Sequence, residues 1–189
     1  MSLKQNLEAG FPASFDFPPE LAAFADWTEA TGHHLMCLEL VPGSRDMLEA
    51  WFGHPFASNR LAVFAEGPDG SLYAMWKDAE LEQRVVFLGS EGEVRNLTAD
   101  FKDFLRLVGI GYDEIGYADL SEPPEEEYAD MEPDDDEFDS DTDEALPDFR
   151  VWLQREFSVI IPEVGEELVN PEDKSFAEWV ERLQLIHGK

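Results

Sequence analysis

Apolar positions recur along this chain at two different periods, and the change of period marks out its elements. Phe17-Pro18-Pro19-Glu20 opens a helix, because proline suits the first turn, with Leu21, Phe24 and Ala25 on one face and Gly32 as its stop. His34 to Leu40 is expected as a strand, and Ser44 to Phe52 as a short helix turning Met47, Leu48 and Trp51 inward. The pattern then shortens to that of strands. Leu61-Ala62-Val63-Phe64-Ala65 and Leu72-Tyr73-Ala74-Met75-Trp76 flank the turn sequence Gly67-Pro68-Asp69-Gly70. Val85-Val86-Phe87-Leu88 and Val94-Arg95-Asn96-Leu97 flank Gly89-Ser90-Glu91-Gly92-Glu93 in the same way. The first strand of each hairpin is apolar on both faces, which predicts a place inside a sheet covered by helices.

The helical period returns with Phe101, Phe104, Leu105 and Val108, where Asp100 or Thr98 is placed to cap and Gly109 to terminate. Phe149, Trp152, Leu153 and Phe157 form another stripe. Phe176, Trp179, Val180 and Leu183 form the last, with Ser175 and Glu178 at capping-box spacing. No internal repeat is visible. This order predicts an α+β fold, a mainly antiparallel sheet flanked by helices, with Phe64, Trp76, Val86, Phe87, Phe104, Trp152 and Trp179 buried.

One stretch has no period at all. From Asp119 to Asp148 there are 16 acidic residues and no Lys or Arg, and Tyr128, Met131 and Phe138 are scattered among them. Such like-charge runs stay solvated, so a flexible, disordered acidic insert is expected. The organisation is therefore residues 1–118 as an α+β domain, 119–148 as the acidic segment, and 149–189 as C-terminal helices packing on the same domain.

Composition sharpens this picture. With 189 residues, 14 Phe and 5 Trp, the chain holds enough apolar bulk for one proper core. Its formal net charge is −30, from 43 acids and 13 bases, and the insert alone carries −16 of it. A surface so acidic repels nucleic acid and anionic membranes and attracts basic proteins, chiefly by raising the rate of encounter. No run of apolar residues is long enough to span a bilayer, and the first residues lack the apolar centre of a secretory signal. Cys37 is the single cysteine, so a reducing cytoplasm is the expected compartment.

Catalytic chemistry finds no foothold in the residues. There is no Gly-rich phosphate loop and no nucleophile elbow. Gly109-Ile110-Gly111 is too short for a dinucleotide fingerprint and follows a helix rather than a strand. His33, His34 and Cys37 match no common metal-ligand spacing. Asp139, Asp141 and Asp143 imitate the start of an EF-hand loop, but its sixth and twelfth positions are Glu144 and Arg150 instead of Gly and Glu. A protein without catalytic, cofactor-binding or metal-ligating residues is expected.

The run Leu72-Tyr73-Ala74-Met75-Trp76, Val85-Val86-Phe87-Leu88-Gly89-Ser90-Glu91-Gly92-Glu93 and Ala99-Asp100-Phe101-Lys102-Asp103-Phe104-Leu105 resembles the SUKH superfamily. Phe17-Pro18-Pro19-Glu20-Leu21 and Gly32 are similar to that family's opening helix. The family includes fungal cell-wall-assembly regulators and many bacterial immunity proteins. The resemblance implies an α+β scaffold that binds protein without catalysing a reaction, in bacteria an antidote blocking a toxin that is often a nuclease or deaminase. Charge points to the partner-binding residues: Glu125, Glu126, Glu127, Asp134, Asp135, Asp136 and Glu137 would meet a basic protein, a toxin domain being the first expectation. The alternative is a regulator or scaffold of the same fold that recruits some other basic protein. Either would act as a monomer or homodimer.

Overall fold

Two hydrophobic cores lie on opposite faces of one sheet, because its strands alternate apolar side chains in both directions. The computed structural model describes residues 1–54, 59–124 and 144–187. A first helix, α1 (Leu3–Gly10), is capped reciprocally by Ser2 and Gln5 and buries Leu7. The helix α2 (Pro19–Thr31) starts at its prolines and ends where Gly32 adopts φ 70°. Of the strand expected over His34 to Leu40, only β1 (Glu39–Leu40) joins the sheet. Leu35 and Leu38 bridge to each other instead, and the buried side chains Leu35, Cys37, Leu38 and Leu40 do not alternate. The helix α3 (Arg45–Phe52) follows, with the Ser44 hydroxyl accepting from the Met47 N–H.

The strands β2 (Leu61–Glu66), β3 (Leu72–Lys77), β4 (Gln83–Leu88) and β5 (Val94–Asn96) complete an antiparallel sheet ordered β1-β2-β3-β4-β5. Both hairpins form as the sequence predicts, and β2 and β4 are interior strands. Tyr73 pairs with Phe87 and Ala74 with Val86, while a bulge between Val63 and Ala65 sets Phe64 out of register with β3. One face carries Phe64, Tyr73, Met75, Val85 and Phe87 against α1, α2, α4 (Phe101–Ile110) and α5 (Leu146–Phe157). The other carries Leu72, Ala74, Trp76, Val86 and Leu88 against α3 and α6 (Ser175–His187).

Three details depart from the sequence pattern. Gly109 does not end α4. It lies inside the helix, where a Cβ would press on Ile161 and Leu153, and the chain turns at Gly111 with φ 100°. Ser175 does not cap α6. Asn96 of β5 does so from across the fold, its Oδ1 accepting from the Phe176 N–H at 3.1 Å and its Nδ2 donating to the Ser175 hydroxyl at 2.9 Å. Trp179 is only half-buried, stacked on Phe176 at the rim of the second core, whereas Phe64, Trp76, Val86, Phe87, Phe104 and Trp152 are buried. Among the described residues no helix is long and apolar enough to cross a membrane.

The β3–β4 turn is held by one inaccessible carboxylate. Asp78 Oδ1 accepts from the N–H groups of Glu80 and Glu82, and its Oδ2 accepts from Arg84 Nε at 2.7 Å. Burial by itself would raise this carboxyl, but the Arg84 bond and the main-chain donors outweigh it and hold it below the usual carboxylate range. A depressed pKa contributes stability that is present above the unfolded value of about 3.9 and is lost as pH falls through the folded one. Asp78→Asn is therefore expected to cost about 1–3 kcal/mol at pH 7. The gap between the two proteins should close below about pH 4. Urea unfolding across that range checks it, and a gap that is constant with pH would rule the ion pair out as its cause.

Candidate partner-binding surface

The acidic segment leaves and rejoins the folded domain at a single place, the C-terminal end of α4. On the outgoing side, the hydroxyl of Tyr112, one residue beyond the Gly111 turn, donates to the Glu122 carbonyl at 2.6 Å and accepts from the Gly165 N–H at 3.1 Å. The Glu166 N–H donates to the Leu120 carbonyl at 2.8 Å, and Leu120 is buried against Gly165. On the returning side, Ala145 is buried and Leu146 rests on Gly111. One turn later Arg150 reaches back, donating from Nε to the Gly109 carbonyl at 2.7 Å and from Nη2 to the Ile110 carbonyl at 2.6 Å. Those are carbonyls that a helix end leaves without partners inside the helix, and a cation is favoured there by the helix dipole.

The folded domain thus extends further into the acidic run than composition suggests. Residues 119–124 and 144–148 belong to the described structure, with Leu120 and Ala145 in the core. The expectation of disorder is thus corrected at both ends of the run, where burial of Leu120 and Ala145 holds the chain; Glu125, Glu126, Glu127, Asp134, Asp135, Asp136 and Glu137 lie outside the described residues, as does the rest of that run from 125 to 143. What the structure supplies is the place from which they extend. Tyr112 and Arg150 create that place, and sequence reasoning missed both: each acts through contacts with groups distant along the chain.

The exposed charges beside this place are acidic. Asp119, Glu122, Glu144 and Glu166 are exposed beside the two roots. No Lys or Arg occurs between Arg106 and Arg150. Arg150 is engaged by carbonyls, and Arg95 spends one nitrogen on those of Gly116 and Ala118. The Ser121 hydroxyl and N–H both donate to Asp119 Oδ1, at 2.7 and 3.0 Å, and hold that carboxyl below its ordinary range, so it is ionised at any physiological pH. On the flank, His33 Nε2 faces Asp148 Oδ2 at 3.2 Å and its ring lies over Trp27. His34 is exposed and Cys37 is buried. Among the described residues no group of three or more His, Cys, Asp or Glu is arranged to hold a metal.

Chemically, this end of the molecule offers exposed carboxylates, which attract cationic groups, while the helix-end carbonyls are taken by Arg150. Comparison of the chain with protein-family models, with curated proteins and with solved structures finds no match.

Proposed function

We propose that this protein is a non-catalytic immunity protein that neutralises a cognate toxin by occluding the toxin's basic surface. One observation carries the reading: the densest acidic sequence in the chain is rooted at one end of a rigid α+β domain, among acids that share its sign. The residues that resemble the SUKH superfamily lie in β3, β4, the β4–β5 turn and α4, the elements that build the sheet and position that end. Toxins that act on nucleic acid need a basic cleft to hold phosphate, and a carboxylate array competes for that cleft. The acidic end acts first, by attraction, and the folded domain then covers the site.

Affinity co-purification from the native host, washed at low and at high salt, tests this. The expected result is one abundant basic protein with a toxin-like C-terminal domain, whose capture is weaker when the acids from Glu125 to Glu144 are neutralised. Recovery of neutral or acidic proteins only, unaffected by that neutralisation, would overturn it.

A further inference from the structure

The turn between β2 and β3 contains the one Asp-Gly step of the chain, Asp69–Gly70, and the sequence has no Asn-Gly step. Such a step is a chemical weak point, because glycine leaves the nitrogen after the aspartate unshielded by a side chain. The Gly70 nitrogen can bond to Asp69 Cγ and close a succinimide ring, its proton leaving with the carboxyl hydroxyl as water. Water then reopens the ring at the main-chain carbonyl, and the chain continues through Cγ as isoaspartate. Water is released once and taken up once, so no enzyme, oxidant or other reactant is required. The first step needs a free nitrogen, a carboxyl that can turn toward it, and a proton on that carboxyl.

This turn withholds all three. The Gly70 N–H is committed to the Gly67 carbonyl at 3.0 Å, in a turn where Gly70 sits at φ 83°. Asp69 Oδ1 accepts from the Ser71 N–H, and Oδ2 accepts from the Ser90 and Tyr117 hydroxyls, each at 3.0 Å. Tyr117 is itself fixed: its oxygen accepts from the Ser90 N–H at 3.2 Å, and its ring meets Phe87 edge-on at 5.0 Å. Gly89 leaves room for this, since a Cβ there would stand 2.8 Å from the Tyr117 oxygen. Burial by itself would raise the Asp69 carboxyl, but the Ser71, Ser90 and Tyr117 donors outweigh it and hold it below the usual carboxylate range.

Two of these holds come from elsewhere in the chain. Ser90 belongs to the β4–β5 turn and Tyr117 to the loop after α4, 21 and 48 positions from Asp69. Closing the turn needs neither, because its main-chain bonds do that alone. Asp69, Ser90 and Tyr117 are all exposed, so a local opening that leaves both cores intact is enough to part them.

We propose that Asp69–Gly70 is a self-modification site that Ser90 and Tyr117 hold shut, so that Asp69 turns to isoaspartate only when this clasp opens. The change keeps the clasp open, because isoaspartate carries its carboxylate directly on Cα and no longer presents it to the two hydroxyls. The site is separate from the acidic segment and does not depend on the toxin-binding reading.

The test follows the intact protein kept for weeks in neutral buffer. Trypsin releases Asp69 in the peptide from Leu61 to Lys77, whose isoaspartyl form elutes separately at unchanged mass and accepts a methyl group from an isoaspartyl methyltransferase. Conversion should be slower by about tenfold or more in the folded protein than in the same chain in guanidinium, since it waits on opening. Ser90→Ala combined with Tyr117→Phe should raise the folded-state rate about tenfold, the weight of one or two hydrogen bonds. Tyr117→Phe alone keeps the ring on Phe87 and should raise it by a smaller factor. Urea midpoints show whether each variant is folded, and if the double variant is not, the single one decides by the same comparison. Equal rates in folded and denatured wild type overturn the proposal, as does a failure of isoaspartate to form in guanidinium. So does a folded variant that converts no faster than wild type, which would assign the protection to the main chain of the turn. None of these outcomes alters the co-purification result at the acidic end.

Discussion

Phe104→Ala is expected to destabilise the domain by about 3–5 kcal/mol. Phe104 has no solvent exposure and sits on α4 over the centre of the sheet. Its ring lies 5.4 Å from that of Phe64, 5.7 Å from Tyr73 and 5.5 Å from Phe101, so it touches two strands and its own helix at once. Those neighbours are fixed by ladder hydrogen bonds and by the Asp100 cap, whose side chain accepts from the Asp103 N–H at 2.8 Å. They have little freedom to close on the void, which puts the cost toward the upper part of the range. Against a total stability of about 5–15 kcal/mol for ordinary domains, the loss is large. The midpoint of urea unfolding should move far down with an unchanged slope. Trp179→Ala, at the half-buried rim of the other core, should lose less. A Phe104 variant as stable as wild type would mean that this core is not rigidly packed.

The second large effect concerns association with the basic partner proposed above. Electrostatic steering changes on-rates by about 10 to 1000-fold, and the screening length falls from about 10 Å at 0.1 M salt to about 3 Å at 1 M. With 16 acids in one stretch, the on-rate is expected to fall at least tenfold across that range while the off-rate changes little. Replacing Asp134, Asp135, Asp136 and Glu137 by Asn and Gln should lower the on-rate at low salt and leave it nearly unchanged at high salt. Stopped-flow mixing at the two salt concentrations gives both rates. A salt-independent on-rate would remove the acidic segment from the mechanism and leave recognition to the folded surface.

The parts of the fold that were legible in the sequence are those whose determinants are local. Gly67-Pro68-Asp69-Gly70 forms its turn from its own residues, and the stripe on α4 needs only the helical period. The helix α1 left no stripe because Leu7 is its one buried side chain, yet Ser2 and Gln5 stood at capping-box spacing. At the start of α6 the Ser175 N–H is met by Asp173 just before it, but the Phe176 N–H is met by Asn96, some 80 positions earlier in the chain, which no local pattern could show. Gly109 reads as a stop in isolation, and only the packing of Ile161 and Leu153 explains a glycine within the helix. For the candidate surface, sequence revealed the charge and not its geometry. Tyr112 carries no local sign that its hydroxyl will join Glu122 to Gly165, and Arg150 looks like any surface cation until α5 is laid against α4.

Because both roots of the acidic segment converge on the last turn of α4, the segment closes a ring whose ends are already fixed by the domain. Lengthening such a ring is thermodynamically mild, about 0.6 kcal/mol for each doubling. Residues can therefore be added, removed or exchanged between Pro124 and Glu144 with little consequence for the sheet and its two cores. The domain has in effect a port, at which the number and spacing of charges can change while the scaffold behind it stays the same.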